Sequence, residues 1–316
     1  MDRRQFIMST TTAGFVSVVG PADLPAKNKP SRSKRAMTLG FSTYGAKTLS
    51  TEAAIDAIAK TGFDSIEITI WSDWDANPET MIRRRRKAIR KRLRDRGLQL
   101  TSLMEHLHID DDKRSTGQRL ERLKLAAELA HDLSPDQPPL LQTTIGGGGK
   151  WAEKRAGYIA EINQWNKVAK NHDLVIAVKP HRGGAFSRPD EAVELIAKLG
   201  HPKRIRMCYD YSHYDFRDMT LEGTIRTSLP HVGHIAVKDV IRRDNALRFV
   251  LPGQGGRINY ATLVSMFHKG GYRDDVCVEV SGQVWSQPGY DPIQAAKASY
   301  QHLSAAFAEA KVKRAN

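Results

Sequence analysis

From Met37 onward the chain alternates between short apolar or β-branched runs and longer amphipathic runs, and it does so eight times. The strand-like runs are MTLGFS (37–42), SIEITI (65–70), LQLTSL (98–103), PLLQTTI (139–145), LVIAVK (174–179), RIRMCYD (204–210), HIAVKD (234–239) and DVCVEV (275–280). The runs between them carry helix signals. STEAAIDAIAKTG (50–62) has a Ser or Thr cap and stops at Gly62. RPDEAVELIAKLG (188–200) opens with Pro in its first turn. Parallel strands need crossover connections, and eight strand–helix units close most naturally into a (β/α)8 barrel. A doubly wound sheet is the alternative, but no Gly-x-Gly-x-x-Gly follows the first strand.

The barrel is expected over residues 37–310, with a C-terminal tail at 311–316. Residues 1–22 read as a twin-arginine-type export signal: Arg3-Arg4, then Phe6-Ile7, a weakly apolar stretch to Gly20, and small residues near Ala22. A disordered basic tail is the other reading. The export reading implies a periplasmic destination. Residues 23–36, rich in Pro, Ser, Lys and Arg, read as a linker. No run of eighteen apolar residues exists, so no transmembrane segment is expected.

The formal charge of +14 raises nucleic acid as a partner. Much of that excess lies in MIRRRRKAIRKRLRDRG (81–97), whose sparse apolar positions are Ile82, Ile89 and Leu93. This reads as a surface helix with a cationic outer face. No aromatic residue interleaves the arginines, so no specific nucleic-acid partner is expected. Two cysteines, Cys208 and Cys277, are too few for a disulfide scaffold. They fall on the sixth and eighth strands and are expected to stay unpaired.

Active sites of such barrels lie where the strands end. The polar residues at or just past those ends are Ser42, Tyr44, Glu67, Glu105, His106, Lys179, His181, Asp210, His213, Lys238, Asp239 and Glu279. Lys179 closes a fully apolar strand and shares its inward face with Val175 and Ala177. A lysine there needs a partner or a lowered pKa, and Asp210 on the neighbouring strand supplies a carboxylate. The alternative is a lysine reaching out to solvent from the barrel mouth. The glycine run at 146–149 reads as a flexible loop or as a phosphate-cradling one, and PGQGG (252–256) as a turn or a loop of the barrel mouth. Trp285 and Tyr290, just past the eighth strand, are candidates for sugar stacking.

YDYSH (209–213), HIAVKD, LPGQGG (251–256) and GGYRDDVCVEV (270–280) together resemble the xylose isomerase-like barrels, the sugar phosphate isomerase/epimerase family. The resemblance covers roughly residues 37–310. It implies a divalent metal held by a Glu ending strand five, an Asp ending strand six, a His on strand seven and a Glu on strand eight. It also implies that the two Glu shuttle protons. By position Asp210 and Glu279 match two ligands, His213 matches a substrate-touching His, and Arg242 falls near the arginine after the strand-seven ligand. Lys179 and Ala236 occupy the other two ligand positions. The resemblance thus implies a weakened or absent Mn or Zn site, held by Asp210, Glu279 and His213, with His181 or His106 as a further ligand.

Glu279, Lys179 and His213 are the catalytic candidates. Glu67, His106, His181, Lys238 and Arg242 are the candidates for binding a small carbohydrate. Lys179 can replace metal charge, stabilise an enolate as a fixed cation, or form a Schiff base. Three functions fit these residues. One is a sugar isomerase or epimerase working by proton abstraction next to a carbonyl. Another is a lyase or dehydratase on a related sugar. The last is a non-catalytic carbohydrate-binding barrel.

Overall fold

The computed structural model describes residues 36–110, 114–244 and 246–315. The export signal and nearly all of the linker lie outside the described residues. The chain begins β1 (Thr38–Ser42), α1 (Thr51–Thr61), β2 (Ser65–Thr69), α2 (Arg83–Asp95), β3 (Gln99–Met104) and α3 (Thr116–Leu133). It continues β4 (Leu140–Thr143), α4 (Trp151–Asn171), β5 (Ile176–Val178), α5 (Pro189–Lys198), β6 (Ile205–Tyr209) and α6 (Leu221–Ser228). Then follow β7 (Val232–Val237), β8 (Asp239–Arg243), β9 (Ala246–Val250), α7 (Tyr260–Lys269), β10 (Asp275–Val278), α8 (Gly282–Trp285) and α9 (Pro292–Glu309).

The strands β1-β10-β7-β6-β5-β4-β3-β2 form a closed barrel, parallel throughout. Local chemistry delimits the helices as expected. Ser50 Oγ accepts the Ala53 N–H, and Gly62 ends α1 in the left-handed region at φ 105°. Ser115 and Gln118 form a capping box on α3. The main core lies between the sheet and the helix ring; inside the barrel, Ala177, Cys208 and Ala236 form a separate small-residue layer. Both cysteines are buried free thiols.

Three features differ from the sequence reading. A two-stranded antiparallel hairpin, β8–β9, follows the seventh barrel strand directly. The C-terminal tail is not loose: Met37 bridges to Arg314, and the Ala315 N–H donates to the Met37 carbonyl at 3.1 Å. Helix α2 is less of a solvated face than its composition suggests. Ile82 is 67% exposed, whereas Arg86 is buried and donates to the Met81 and Pro78 carbonyls. Arg85 and Arg92 reach across to Glu52 and Asp56 of α1, at 2.8 and 2.6 Å. Among the described residues no helix is long and apolar enough to cross a membrane.

Candidate active site

The ends of β5, β6, β7 and β10 converge on one buried cluster of charge. The Lys179 N–H donates to the Thr143 carbonyl at 2.8 Å and the Glu279 N–H to the Val237 carbonyl at 3.0 Å, which sets both side chains just past their strands. Lys179 Nζ donates to Glu279 Oε2 and lies 3.8 Å from Asp210 Oδ2. Lys238 Nζ donates to Asp210 Oδ2 and, at 2.8 Å, to Glu279 Oε1. Two ammonium groups and two carboxylates therefore alternate around the mouth. Gln142 Nε2 adds a longer contact to Glu279 Oε2 at 3.4 Å.

Lys179 is 2% exposed, so it does not reach out to solvent. Burial works against its charge, but the Glu279 and Asp210 carboxylates outweigh burial and hold the ammonium above the ordinary lysine value. Burial likewise favours a neutral Glu279, yet Lys179 and Lys238 hold this carboxyl well below the usual range. Asp210 is held low in the same way, chiefly by Lys238 and then His213.

Imidazoles line the next shell. The Arg182 N–H donates to His213 Nδ1 at 3.3 Å, which leaves the ring proton on Nε2, 3.4 Å from Asp210 Oδ2. Burial lowers His213 to about 4. His181 packs on His213 with ring centroids 4.3 Å apart and is also lowered, by burial and by His213. His106 is lowered to about 3, first by burial and then by His108, and packs against Trp71 at 4.2 Å. All three are neutral donors or acceptors at neutral pH.

Aromatic groups complete the mouth. Tyr44 packs against Trp71, Trp74 and Trp285 at 5.2, 5.5 and 5.6 Å. Burial and the Glu279 charge push its phenol up to about 12. Phe249 on β9 covers the cationic side: Lys238 Nζ lies 5.0 Å from its ring centroid, Arg182 Cζ 3.9 Å, and the His213 ring 5.1 Å. Phe249 and Arg182 are absent from the sequence reading. The Asp244-Asn245 pair between two alternating runs is the turn signal that points to this hairpin. Trp71 and Trp74 are signalled by WSDW (71–74), directly past the second strand.

The structure brings Lys179, Asp210, His213, Lys238 and Glu279 together, with His106 and His181 beside them. Other candidates fall elsewhere. Glu67 turns toward His234, at 3.3 Å, and accepts from Ser102 Oγ at 2.7 Å. Arg242 is exposed on the hairpin, because β8 carries it out of the barrel end. Glu105 pairs with Arg122 of α3. Asp239 accepts the Gly253 and Gly255 N–H groups at 3.0 and 3.1 Å and so anchors the 252–256 loop. In the 146–149 run Gly147 is closed in by its neighbours: a Cβ there would lie 2.5 Å from the Asp110 carboxylate and 2.2 Å from the Tyr158 hydroxyl. Tyr290 donates to the Gly45 carbonyl at 2.6 Å and braces the wall.

A divalent metal on Asp210, Glu279 and His213 does not fit this arrangement. The Lys238 ammonium bridges the two carboxylates where a cation would bridge them, and Lys179 adds like charge. Among the described residues the one group of three ligand atoms within 4.8 Å of one another is Glu67, His234 and Cys277, not these three.

A closed parallel eight-stranded barrel with carboxylates, imidazoles and ammonium groups gathered at its strand ends has the architecture of the TIM-barrel class. The chain belongs to the xylose isomerase-like TIM barrel family, which it matches over residues 55–306. A human protein provisionally named hydroxypyruvate isomerase is 24% identical over 265 residues, covering 76% of this chain and 89% of that protein. The E. coli 3-keto-D-glucoside 4-epimerase superposes with a TM-score of 0.66 at 15% identity, over 85% of this chain and 99% of that one. A xylose isomerase-like TIM barrel protein from Mycobacterium smegmatis, in complex with magnesium, superposes at 0.65 with 16% identity, over 89% of this chain and 100% of that one. At these identities the two solved structures establish the shared fold.

Proposed function

We propose that this chain isomerises or epimerises a keto-sugar or a related small hydroxy-carbonyl compound, using fixed ammonium groups where related barrels use a metal. The observation that carries this reading is Glu279, a buried carboxylate at the barrel mouth flanked by Lys179 and Lys238. Glu279 takes the proton from the carbon beside the carbonyl. The electron pair moves onto the carbonyl oxygen, and the ammonium groups stabilise the resulting enolate. As that oxygen draws the ammonium groups toward itself, their hold on Glu279 weakens and its basicity rises. In an isomerisation the adjacent hydroxyl passes its proton to the former carbonyl oxygen and a proton is delivered to the former carbonyl carbon; in an epimerisation a proton returns to the original carbon on its opposite face. His181 Nδ1 accepts the Gly183 N–H at 3.3 Å, which places its ring proton on Nε2, a neutral donor suited to that return. Hydroxypyruvate and 3-keto-glucosides, named for the human relative and the E. coli neighbour, share the hydroxy-carbonyl unit this chemistry needs.

An imine route requires a neutral amine, and Lys179 is held protonated by Glu279 and Asp210. Fixed-cation catalysis is therefore favoured over a Schiff-base lyase. The test is solvent exchange. Incubated in D2O with hydroxypyruvate and a panel of keto-sugars, the protein should replace the proton beside the carbonyl of one member by deuterium, followed by proton NMR. Lys179→Met should slow that exchange by roughly 100-fold or more, the scale of losing one electrostatic stabiliser. Exchange at the buffer rate across the whole panel would favour a non-catalytic binding barrel instead.

A further inference from the structure

Beneath the mouth, the barrel interior holds a second polar group that the proposed chemistry does not use. Cys277 lies two residues before Glu279 on β10, and His234 lies four residues before Lys238 on β7. Both point into the barrel, as does Glu67 of β2. Their ligand atoms, a thiol sulfur, an imidazole nitrogen and a carboxylate oxygen, all lie within 4.8 Å of one another, and all three residues are buried. His234 Nε2 is a buried nitrogen that makes no hydrogen bond. It faces Glu67 Oε2 at 3.3 Å. Glu67 has no lysine or arginine partner among the ion pairs of the described residues. The neighbouring Asp275 is served differently, by the hydroxyls of Thr38, Ser65 and Thr101 at 2.7, 2.5 and 2.9 Å.

We infer that Glu67, His234 and Cys277 form a deep site for one thiophilic divalent cation of the zinc class, separate from the lysine-filled mouth. Tetrahedral coordination at about 2.0–2.3 Å sets ligand atoms roughly 3.3–3.8 Å apart, so side-chain shifts of about 1 Å close the present triangle. The nitrogen and sulfur donors favour zinc over magnesium or manganese. Ser102 Oγ, donating to Glu67 Oε2 at 2.7 Å, orients the carboxylate from the second shell. Binding replaces the thiol proton of Cys277, so each metal taken up releases one proton to solvent. The cation would meet the charge of Glu67. The layer of Ala177, Cys208 and Ala236 and the ion cluster above it close the site from the mouth, so metal enters as the chain folds.

The experiment uses the full chain purified from cultures grown with added zinc and, separately, with added cobalt. About one metal per chain is expected by elemental mass spectrometry. The cobalt protein should show a near-ultraviolet thiolate-to-cobalt charge-transfer band. Cys277→Ser and Cys277→Ala should abolish that band, and His234→Gln should lower metal content about ten-fold, with folding checked by circular dichroism. Asp210→Asn, at the mouth, should keep both metal and band. A wild-type chain that carries no metal from either culture overturns the inference. Metal retained without the thiolate band, or lost in Asp210→Asn, overturns it equally. Deuterium exchange reads the mouth and metal content reads the deep site, so the two proposals fail independently.

Discussion

A lysine in a barrel mouth is stable only because of what faces it. Lys179 and Lys238 each lie against carboxylates from other strands, and removing one partner of such a buried set strands the remaining charge. His213 has a different pH signature. It is neutral in the folded chain, lowered to about 4 by burial, whereas an unfolded histidine titrates near 6.5. Between those values the unfolded chain binds a proton that the folded chain does not. Stability therefore falls as pH drops from about 6.5 to about 4 and is unaffected by this group above that window. The contribution is on the order of 3 kcal/mol. Urea unfolding at pH 7 and near pH 4 should show His213→Gln losing less over the interval than wild type. Equal losses would mean that His213 is not held neutral.

At the scale of elements, the hairpin β8–β9 does what no barrel strand can: it lays Phe249 over the charged cluster. Phe249 is anchored by its N–H, which donates to Gln283 Oε1 at 2.8 Å. Arg182 Nη2 reaches the Leu247 carbonyl at 3.4 Å. An aromatic face over Lys238 and Arg182 excludes water and strengthens their fields. Phe249→Ala should slow deuterium exchange by roughly ten-fold and make the residual rate more sensitive to added salt, because screening then reaches the cations. An unchanged rate and salt dependence would remove the hairpin from the site. Helix α2 teaches the converse lesson. Its arginines clamp α1 through Glu52 and Asp56, so part of the charge that suggests an external partner serves helix–helix packing.

For the whole molecule, closure runs from both ends of the described chain. Residues near Met37 and Arg314 meet, and Arg314 Nε lies 3.7 Å from Asp64 Oδ2. The N-terminal segment, residues 1–35, lies outside the described residues. We propose, from Arg3-Arg4 and the apolar stretch that follows, that it directs folded chains to the periplasm. Replacing Arg3 and Arg4 together by Lys should retain the protein in the cytoplasm, measured by cell fractionation. An unchanged periplasmic yield would refute export by that route. A chain exported already folded carries any metal acquired in the cytoplasm, which suits a site sealed beneath the mouth.

The amino-acid sequence alone determined the eight-fold alternation, because strand and helix periodicities are local properties of side-chain order. It also placed Lys179, Asp210, Lys238 and Glu279 at strand ends, since each follows an apolar run directly, and His213 three residues past such an end. The relations among the candidate residues it leaves open. Glu67 reads as a mouth residue, yet its side chain turns to His234. Arg242 reads as substrate-binding, yet the hairpin carries it into solvent. Asp210, His213 and Glu279 read as residual ligands, yet Lys238 bridges the two carboxylates. Which ammonium meets which carboxylate depends on the stagger of strands joined by barrel closure, with partners separated by 28 to 100 residues. Long-range pairing of that kind is set by register and depth inside the barrel, and neither quantity is written in any local window of the chain.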